Sequence, residues 1–297
     1  MITKSVMLSI IGRPNVGKST LVNKLVGEKI AIVSNKPQTT RNRIFAVINE
    51  DDTQIVLLDT PGFHKARTKL GEYMVKVVND SFADVDAMLL LVEPIANIGK
   101  QEQILIERIK ESGVPAVLVI NKIDTVKKEE LLEVIAAYSA EHEFDAIVPV
   151  SARTGENIED LKKVMRGYAS DGPQLFPEDM ITDQPERQIC AEIVREKLLR
   201  CLDREIPHGT AVEVTKFSER ENEIIDLDVT IYCEKESHKG IIIGKHGAML
   251  KKVGELARED IERFMGTKIF LQTWVKVKEN WRDSDTMIRN FGYTRDR

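Results

Sequence analysis

Eight residues near the start of the chain have the types and spacing of a phosphate-binding loop, Gly12-Arg13-Pro14-Asn15-Val16-Gly17-Lys18-Ser19. They fit the pattern G-x-x-x-x-G-K-[ST], in which the glycines let backbone N–H groups close around phosphate oxygens. The run follows an apolar segment and opens a helical pattern, and the N-terminal dipole of a helix also attracts phosphate. The pattern predicts that Lys18 reaches the β- and γ-phosphates of a nucleotide and that Ser19 ligates Mg²⁺.

A second group, Asp59-Thr60-Pro61-Gly62, begins at the end of another predicted strand. A carboxylate at Asp59 can hold magnesium through a water molecule, and the Gly62 N–H can meet a γ-phosphate. Loss of that phosphate would release the loop beyond Gly62. The pattern therefore predicts a segment that switches with the bound nucleotide.

The run Asn121-Lys122-Ile123-Asp124 could select the base of that nucleotide. The Asp124 carboxylate can accept hydrogen bonds from both the N1–H and the exocyclic amine of guanine. Adenine offers no such pair of donors, and a site built on such hydrogen bonds can discriminate by ~10⁴ or more. Asn121 and Lys122 are expected to brace the loops around the base. Ser151-Ala152, after the next strand, is expected to direct a backbone N–H at the guanine oxygen.

These motifs must be positioned by the first 170 residues, in which short apolar runs alternate with helical patterns. Because the strands lack polar alternation, both faces of their sheet should be covered, as in a mostly parallel α/β sheet. Six strands are predicted, at residues 6–12, 43–49, 54–59, 86–93, 115–121 and 146–151. Four helices are predicted, at residues 18–26, 100–111, 128–141 and 157–168.

The pattern changes at residues 171–185, where three prolines stand among glycine and acidic residues and indicate a linker. The remaining residues, 186–297, predict a compact α+β domain. Its elements in order are a helix at 186–204, strands at 211–217 and 223–232, a short helix at 237–243, a helix at 248–265 and a strand at 268–277. The expected organisation is thus a nucleotide-binding domain at 1–170, a linker at 171–185 and a second domain at 186–297.

The second domain contains a glycine-bounded basic turn, Gly240-Ile241-Ile242-Ile243-Gly244-Lys245-His246-Gly247. Glycines at 244 and 247 would let phosphates approach the backbone, with charge from Lys245 and a hydrogen bond from His246. The three isoleucines would form an apolar floor under bases. Residues 239–297 carry 13 Lys and Arg against 8 Asp and Glu, a local basic balance that suits nucleic acid. The alternative is an ordinary glycine turn on a solvated helix.

The nucleotide motifs, in this order, resemble the small-GTPase fold. The stretch 35–41 resembles the first switch of that fold, in which a threonine closes over Mg²⁺ when the γ-phosphate is present. The spacing in the family places this ligand at Thr40, with Thr39 as the alternative.

The residue after Gly62 is Phe63, whereas Ras-type enzymes place a water-orienting glutamine there. This resembles the GTPases in which a hydrophobic residue replaces the glutamine. In several of them an asparagine of the phosphate loop helps to hold a potassium ion, and Asn15 occupies that place. The alternative for Asn15 is a side chain that braces its own loop.

The order of elements around the G-x-x-G turn resembles the type II KH module, whose loop clamps about four nucleotides of single-stranded backbone. A GTPase of the hydrophobic-substituted type followed by a type II KH domain resembles the Era family over essentially the whole chain, including the run 276–282. The resemblance implies GTP hydrolysis, nucleotide-controlled binding to the 3′ end of small-subunit ribosomal RNA and a role in 30S subunit assembly. It also implies peripheral association with the inner membrane face. Separately, a monomer is expected, since no heptad pattern indicates a coiled coil. Trp274 and Trp281 are candidates for RNA stacking, although core packing is expected for at least one of them.

Motifs and resemblance together assign three sets of residues in the nucleotide-binding domain. The catalytic set is Lys18, Thr40, Gly62 and Asn15, and the magnesium set is Ser19, Thr40 and Asp59. The nucleotide-binding set comprises Gly12, Arg13, Pro14, Asn15, Val16, Gly17, Lys18, Ser19, Thr20, Asp59, Thr60, Pro61, Gly62, Asn121, Lys122, Asp124, Ser151 and Ala152.

Composition and charge exclude several classes of protein and of binding site. A net charge of −5 excludes a polycation, so any contact with nucleic acid must come from a local patch. Three scattered cysteines do not suit a disulfide framework or a four-ligand zinc site and are typical of a reducing compartment. No apolar run approaches the ~18 residues of a spanning helix, and a cytoplasmic location is expected. Two alternatives stay open: a membrane-associated signalling GTPase with secondary RNA binding, and a passive RNA-binding module whose fold the nucleotide stabilises.

Overall fold

The computed structural model describes residues 2–36, 38–63, 66–203, 205–221 and 223–293. Pro37 of the predicted first switch and Arg204, the predicted end of a helix, lie outside these residues. The chain forms two compact units. The first comprises Met1–Ala31, Thr40–Ala66 and Gly71–Asp183, and the second comprises Ile32–Thr39, Arg67–Leu70 and Gln184–Arg297.

The first unit is built on the predicted, mostly parallel sheet. Its main strands are β1 (Lys4–Ile11), β2 (Ile44–Glu50), β3 (Thr53–Asp59), β4 (Ala87–Val92), β5 (Ala116–Ile120) and β6 (Ala146–Pro149). They lie in the order β2-β3-β1-β4-β5-β6, and β2 is antiparallel to β3. A two-residue strand, β7 (Ser170–Asp171), pairs antiparallel with β1. The described sheet therefore has seven strands where the sequence predicts six.

Five helices connect these strands: α1 (Lys18–Val26), α2 (Lys69–Asp80), α3 (Lys100–Ser112), α4 (Lys128–Glu141) and α5 (Ile158–Arg166). Helix α2 is absent from the sequence-based prediction. Its buried residues Leu70, Met74 and Val78 stand four residues apart, so the signal for an amphipathic helix is present in the sequence.

Apolar packing on both faces of the sheet explains the unbroken apolar strands. Residues of β4 and β5 alternate between two clusters: Leu89 and Val117 belong to one, and Leu90 and Leu118 belong to the other. All six residues of β4 are buried. The prediction that both faces are covered is thus confirmed.

Most of the predicted linker packs along β2 in the first unit. The Val47 N–H donates to the Ile181 carbonyl oxygen at 2.9 Å. The rings of Phe45 and Phe176 lie 5.5 Å apart. The first unit extends through Asp183. The predicted domain bounds, 1–170 and 186–297 with a linker at 171–185, stay a prediction.

The second unit has the predicted order of elements: α6 (Glu186–Cys201), β8 (Ala211–Glu219), β9 (Ile225–Cys233), α7 (Glu236–Ile243), α8 (Ala248–Met265) and β10 (Ile269–Val277). The sheet order is β10-β9-β8, with β9 parallel to β10 and antiparallel to β8. A short helix, α9 (Asp285–Asn290), follows and is absent from the prediction. Trp281 is fully buried and donates its indole N–H to the Gly209 carbonyl oxygen at 2.9 Å, so it is a core residue. Trp274, by contrast, is exposed.

Candidate nucleotide site and nucleic-acid loop

The phosphate loop joins β1 to α1, and its glycines are required by close approach. A Cβ atom on Gly12 would lie 2.4 Å from the Leu91 carbonyl oxygen. A Cβ on Gly17 would lie 2.3 Å from Asn121 Nδ2. The loop is therefore pressed against β4 and against the base-recognition motif, and both positions exclude larger side chains.

Lys18 is held inside this loop and is only 6% exposed. Its ammonium group donates to the carbonyl oxygens of Gly12 at 3.0 Å and Arg13 at 2.9 Å. Burial lowers the pKa of Lys18 to about 8, against the opposing charge of Asp59. A buried cation that bonds neutral carbonyls is suited to receive the negative charge of a phosphate.

Three oxygen-bearing side chains meet beside Lys18. Ser19 Oγ lies 2.8 Å from Thr40 Oγ1 and donates to Asp59 Oδ2 at 2.9 Å. Asp59 is fully buried, and its Oδ1 has no hydrogen-bond partner among the described residues. Burial raises the pKa of Asp59 to about 6, although the charge of Lys18 and the hydroxyl of Ser19 lower it.

This donor set fits Mg²⁺, which prefers hydroxyl, carboxylate and water oxygens. The free Oδ1 of Asp59 leaves room for a bond to a metal-bound water. The alternative ligand, Thr39, points elsewhere, because its hydroxyl donates to the Lys36 carbonyl oxygen at 2.7 Å. The structure thus places Thr40, and not Thr39, beside Ser19 and Asp59.

The segment after Asp59 lies directly on the phosphate loop. The Thr60 hydroxyl donates to the Ile10 carbonyl oxygen at 2.8 Å, and the Phe63 N–H donates to the Gly12 carbonyl oxygen at 3.1 Å. A Cβ on Gly62 would lie 2.7 Å from Pro14 Cα. The segment 60–63 and the phosphate loop are therefore in direct contact, as a segment that switches with the bound nucleotide requires.

Phe63 contributes no polar group to the site. Its side chain is buried in the apolar cluster under the sheet, and the Arg108 guanidinium lies 4.8 Å from its ring centre. The sequence-based expectation of a site without a side-chain water orienter at this position agrees with this placement.

Asn121 braces the loops as predicted. Its Nδ2 donates to the Val16 carbonyl oxygen at 2.8 Å, and its Oδ1 accepts from the Ala152 N–H at 3.0 Å. It thereby connects the phosphate loop with the Ser151-Ala152 turn.

Asp124 has the charge state that guanine recognition needs. Ser151 Oγ donates to Asp124 Oδ1 at 2.5 Å, and Arg153 forms an ion pair with the other oxygen. The hydrogen bond from Ser151, with the charge of Arg153, holds the pKa of Asp124 below its usual value. Asp124 is therefore an ionised acceptor at neutral pH.

The N–H from Ser151-Ala152 to the guanine oxygen stays a prediction. Both N–H groups have protein partners: Ser151 donates to the Glu156 carbonyl oxygen at 3.1 Å, and Ala152 donates to Asn121. A base oxygen must share or displace one of these bonds.

The described structure also joins Glu93, the first residue after β4, to both Arg13 and Lys122. Glu93 is absent from the predicted site residues. Asp59, Glu93 and Asn121 share one feature, a polar residue at the carboxyl end of a buried strand, and this signal in the sequence could have pointed to Glu93.

The G-x-x-G turn of the second unit is open to solvent. Gly244, His246 and Gly247 have φ angles of 73°, 52° and 80°, in the left-handed region that favours glycine. Lys245 and His246 are exposed. The predicted isoleucine floor is wrong at one position: Ile242 is fully buried in the core, because helix α7 turns it inward, while Ile241 is exposed.

Known proteins match the chain over both units. A family model described as a 50S ribosome-binding GTPase matches residues 7–122, and a KH domain model matches residues 205–282. GTPase Era of Ruminiclostridium cellulolyticum is 54% identical over 290 residues, which cover 98% of this chain and 97% of that protein. GTPase Era of Clostridioides difficile is 53% identical over 292 residues, covering 98% of each. The chain belongs to the Era family of GTPases.

Solved Era structures share the whole architecture. A crystal structure of Era with MgGDPNP and nucleotides 1506–1542 of 16S ribosomal RNA matches with a TM-score of 0.94 and 37% identity, covering 98% of this chain and 99% of that one. An Era variant of Aquifex aeolicus bound to GDP·AlF4⁻ matches with a TM-score of 0.94, 37% identity and the same coverage.

Membership of the Era family confirms the predicted fold class, a P-loop GTPase domain followed by a KH domain. It also confirms the predicted enzyme class, a GTPase that converts GTP to GDP and phosphate. In the described part of the chain, no helix is long and apolar enough to cross a membrane.

Proposed function

We propose that this GTPase binds the 3′ end of small-subunit ribosomal RNA under control of its nucleotide, and thereby assists 30S subunit assembly. The observation that carries the proposal is the exposed, left-handed G-x-x-G turn on the described KH fold, with a basic residue at each middle position. The Era of known structure that this chain resembles was crystallised with that RNA segment.

We assign the nucleotide chemistry to the residues of the first unit. Lys18 and the Gly62 N–H bind the β- and γ-phosphates, while Ser19, Thr40 and Asp59 hold Mg²⁺, which neutralises charge on those phosphates. Water attacks the γ-phosphorus, the bond to the β–γ bridging oxygen breaks, and GDP and phosphate leave. Because Phe63 offers no polar atom to the water, the intrinsic rate should be low.

Asn15 is the proposed potassium ligand. Asn15 is exposed, with a φ of 67°, and its side chain makes no hydrogen bond to the described residues. That placement disfavours the alternative in which the side chain braces its own loop. An amide oxygen suits a hard cation, and the added charge would stabilise the transition state.

The route from nucleotide to KH domain runs through the first switch. Thr40 lies beside the magnesium residues in the first unit, and Thr39, the next residue, belongs to the second unit. There Arg195, fully buried on α6, donates to the Thr39 carbonyl oxygen, and Glu196 accepts from the Val33 N–H at 2.9 Å. We infer that a movement of Thr40 with the γ-phosphate is passed along the chain to Thr39 and to its bond with Arg195.

The test is the affinity for a short single-stranded RNA that matches the 3′ end of small-subunit ribosomal RNA, at one fixed salt concentration. Binding should be tight with a GTP analogue and weaker with GDP. Equal affinity with the analogue, GDP and no nucleotide would disprove the coupling. Turnover in saturating GTP with and without RNA separates this function from a passive RNA-binding module.

A further inference from the structure

Strand β4 lies between the two strands that carry the nucleotide motifs. Its neighbours are β1, which leads into the phosphate loop, and β5, which leads into the base-recognition motif. All three strands are parallel, so their carboxyl ends meet at one edge of the sheet. Glu93, the residue directly after β4, therefore stands between the two loops.

The Glu93 carboxylate uses a different oxygen for each loop. Oε2 pairs with the guanidinium of Arg13 in the phosphate loop. Oε1 accepts from Lys122 Nζ, in the base-recognition motif, at 2.5 Å. The Glu93 side chain is 23% exposed, so these ion pairs are partly shielded from water.

Lys122 extends the connection to the phosphate loop itself. Its ammonium group also donates to the Asn15 carbonyl oxygen at 2.7 Å. Asn15 and Lys122 are both non-glycine residues with positive φ, 67° and 62°. Such conformations persist where surrounding contacts fix them, and the Glu93–Lys122–Asn15 chain supplies those contacts.

Arg13 is anchored at a second carboxylate on the other side. Its Nε lies 2.9 Å from Glu102 Oε1, in the first turn of α3, and the Glu102 side chain is almost fully buried. Burial raises the pKa of the neighbouring Tyr138 hydroxyl, and the charge of Glu102 raises it further. Glu102 therefore pairs with Arg13, as Glu93 does, but it has no bond to Lys122 among the described residues. A substitution at Glu102 is the matched control for one at Glu93.

We propose that Glu93 is a positioning residue that holds the phosphate loop and the base-recognition motif in one preformed geometry through Arg13 and Lys122. This inference rests on the nucleotide site proposed above. Among the described residues, Glu93 bonds Arg13 and Lys122 and not Lys18 or the magnesium residues, so its role is to set the affinity for the whole nucleotide. The affinities for GDP and GTP should be raised equally, because both nucleotides contact the phosphate loop and the base-recognition motif.

The first experiment compares Glu93→Gln with Glu102→Gln and with Glu107→Gln, an exposed position on α3. In Glu93→Gln, the Kd for GDP and the KM for GTP should rise together by about tenfold, the scale of losing an outer positioning contact. The kcat should stay within about twofold, because the chemistry at the γ-phosphate is untouched. Glu102→Gln should raise the Kd by less than about threefold, and Glu107→Gln should match the wild type.

A double-mutant cycle with Lys122→Met tests the bridge itself. Because the pair with Arg13 remains in the Lys122→Met background, Glu93→Gln should still raise the GDP Kd there, but by clearly less than in the wild-type background. A purely structural effect would instead lower the melting temperature of the nucleotide-free protein and raise the Kd by the same factor in both backgrounds.

Several outcomes would overturn the proposal. The first two concern Glu93→Gln alone: an unchanged GDP Kd, or a fall in kcat without a rise in KM. The other two are equal effects of Glu93→Gln and Glu102→Gln on the GDP Kd, and full additivity of Glu93→Gln with Lys122→Met. Failure of the underlying site assignment looks different, because Asp124→Asn would then leave the preference for GTP over xanthosine triphosphate unchanged. If Asp124→Asn changes the base preference as expected but Glu93→Gln leaves the GDP Kd unchanged, the nucleotide site stands and only the positioning role of Glu93 is disproved.

Discussion

The molecule contains two glycine-bounded basic loops, each followed by a helix, and they are built in opposite ways. In the phosphate loop, Lys18 is buried, Gly12 is pressed against the Leu91 backbone, and Gly17 is pressed against the Asn121 side chain. In the G-x-x-G turn, Lys245 is exposed. A Cβ on Gly247 would meet nothing within 4 Å, whereas a Cβ on Gly244 would lie 2.7 Å from Met249 Cβ, at the base of the turn. An enclosed loop can wrap one small ligand on all sides, whereas an open loop can clamp a chain that enters and leaves.

The enclosed loop should show the largest effect of losing one cation. Lys18→Ala removes the only proposed side-chain cation in contact with the β- and γ-phosphates, so kcat/KM for GTP should fall by about 10³-fold or more. Lys24→Ala, in the last turn of the same helix, is the matched control and should stay near wild type. Steady-state phosphate release measures both. A loss below tenfold would mean that Lys18 does not act on the phosphates.

The open loop should fail when backbone approach is blocked. Changing both Gly244 and Gly247 to Asp adds negative charge where phosphates should lie, and RNA affinity should fall by about 100-fold. GTP hydrolysis without RNA should be unchanged. Gly254→Asp, on α8, is the matched control for an added carboxylate in the same unit. Fluorescence anisotropy at fixed salt gives the affinities, and wild-type binding by the double variant would remove the KH assignment.

The open loop should also respond weakly to single charges. Lys245→Ala should lower RNA affinity only several-fold and reduce the salt slope by about 1, as expected for one phosphate contact. A several-fold loss of RNA affinity here, against a loss of about 10³-fold in kcat/KM in Lys18→Ala, would show that the open loop depends less on any single cation. An unchanged salt slope would mean that Lys245 does not contact the RNA backbone.

Motifs with local spacing were predictable from sequence, and contacts between distant residues were not. The bounds of α1, α4 and α8 agree with the prediction at both ends, because each has clear periodicity and an abrupt end. Helix α9 has six residues, which is too short for a periodic signal. Glu93 pairs with partners 80 and 29 residues away, so no local pattern shows that it joins two loops.

Potassium provides a finer test of the enclosed loop. Asn15→Gly keeps a residue that tolerates the left-handed backbone and deletes only the amide. Wild-type turnover should be about tenfold faster in potassium than in sodium, and the variant should show less than twofold stimulation. Its rate in sodium should equal that of the wild type, which controls for damage to the loop. Equal stimulation in both proteins would mean that Asn15 is not the ligand.

Enclosure should also destabilise the nucleotide-free fold, an effect that the open loop lacks. The pKa of Asp59 is raised to about 6, chiefly by burial, from an ordinary value of 3.8. Between those two pH values the folded protein binds a proton that the unfolded chain does not, so protonation of Asp59 stabilises the fold as the pH falls. Above pH 6 the buried charge is present and destabilises the protein.

The variant Asp59→Asn should therefore melt several degrees higher than the wild type at pH 7 when both are free of nucleotide. That difference should shrink as the pH falls from 7 to 5, because the wild-type carboxyl then becomes neutral as well. The same variant should bind Mg²⁺·GDP more weakly at pH 7, since a neutral amide is a poorer partner for the metal-bound water. Thermal melts across this pH range, with and without Mg²⁺·GDP, measure both effects. A constant difference in melting temperature would show that Asp59 does not titrate there, and the charge in the enclosed loop would then impose no cost on the fold.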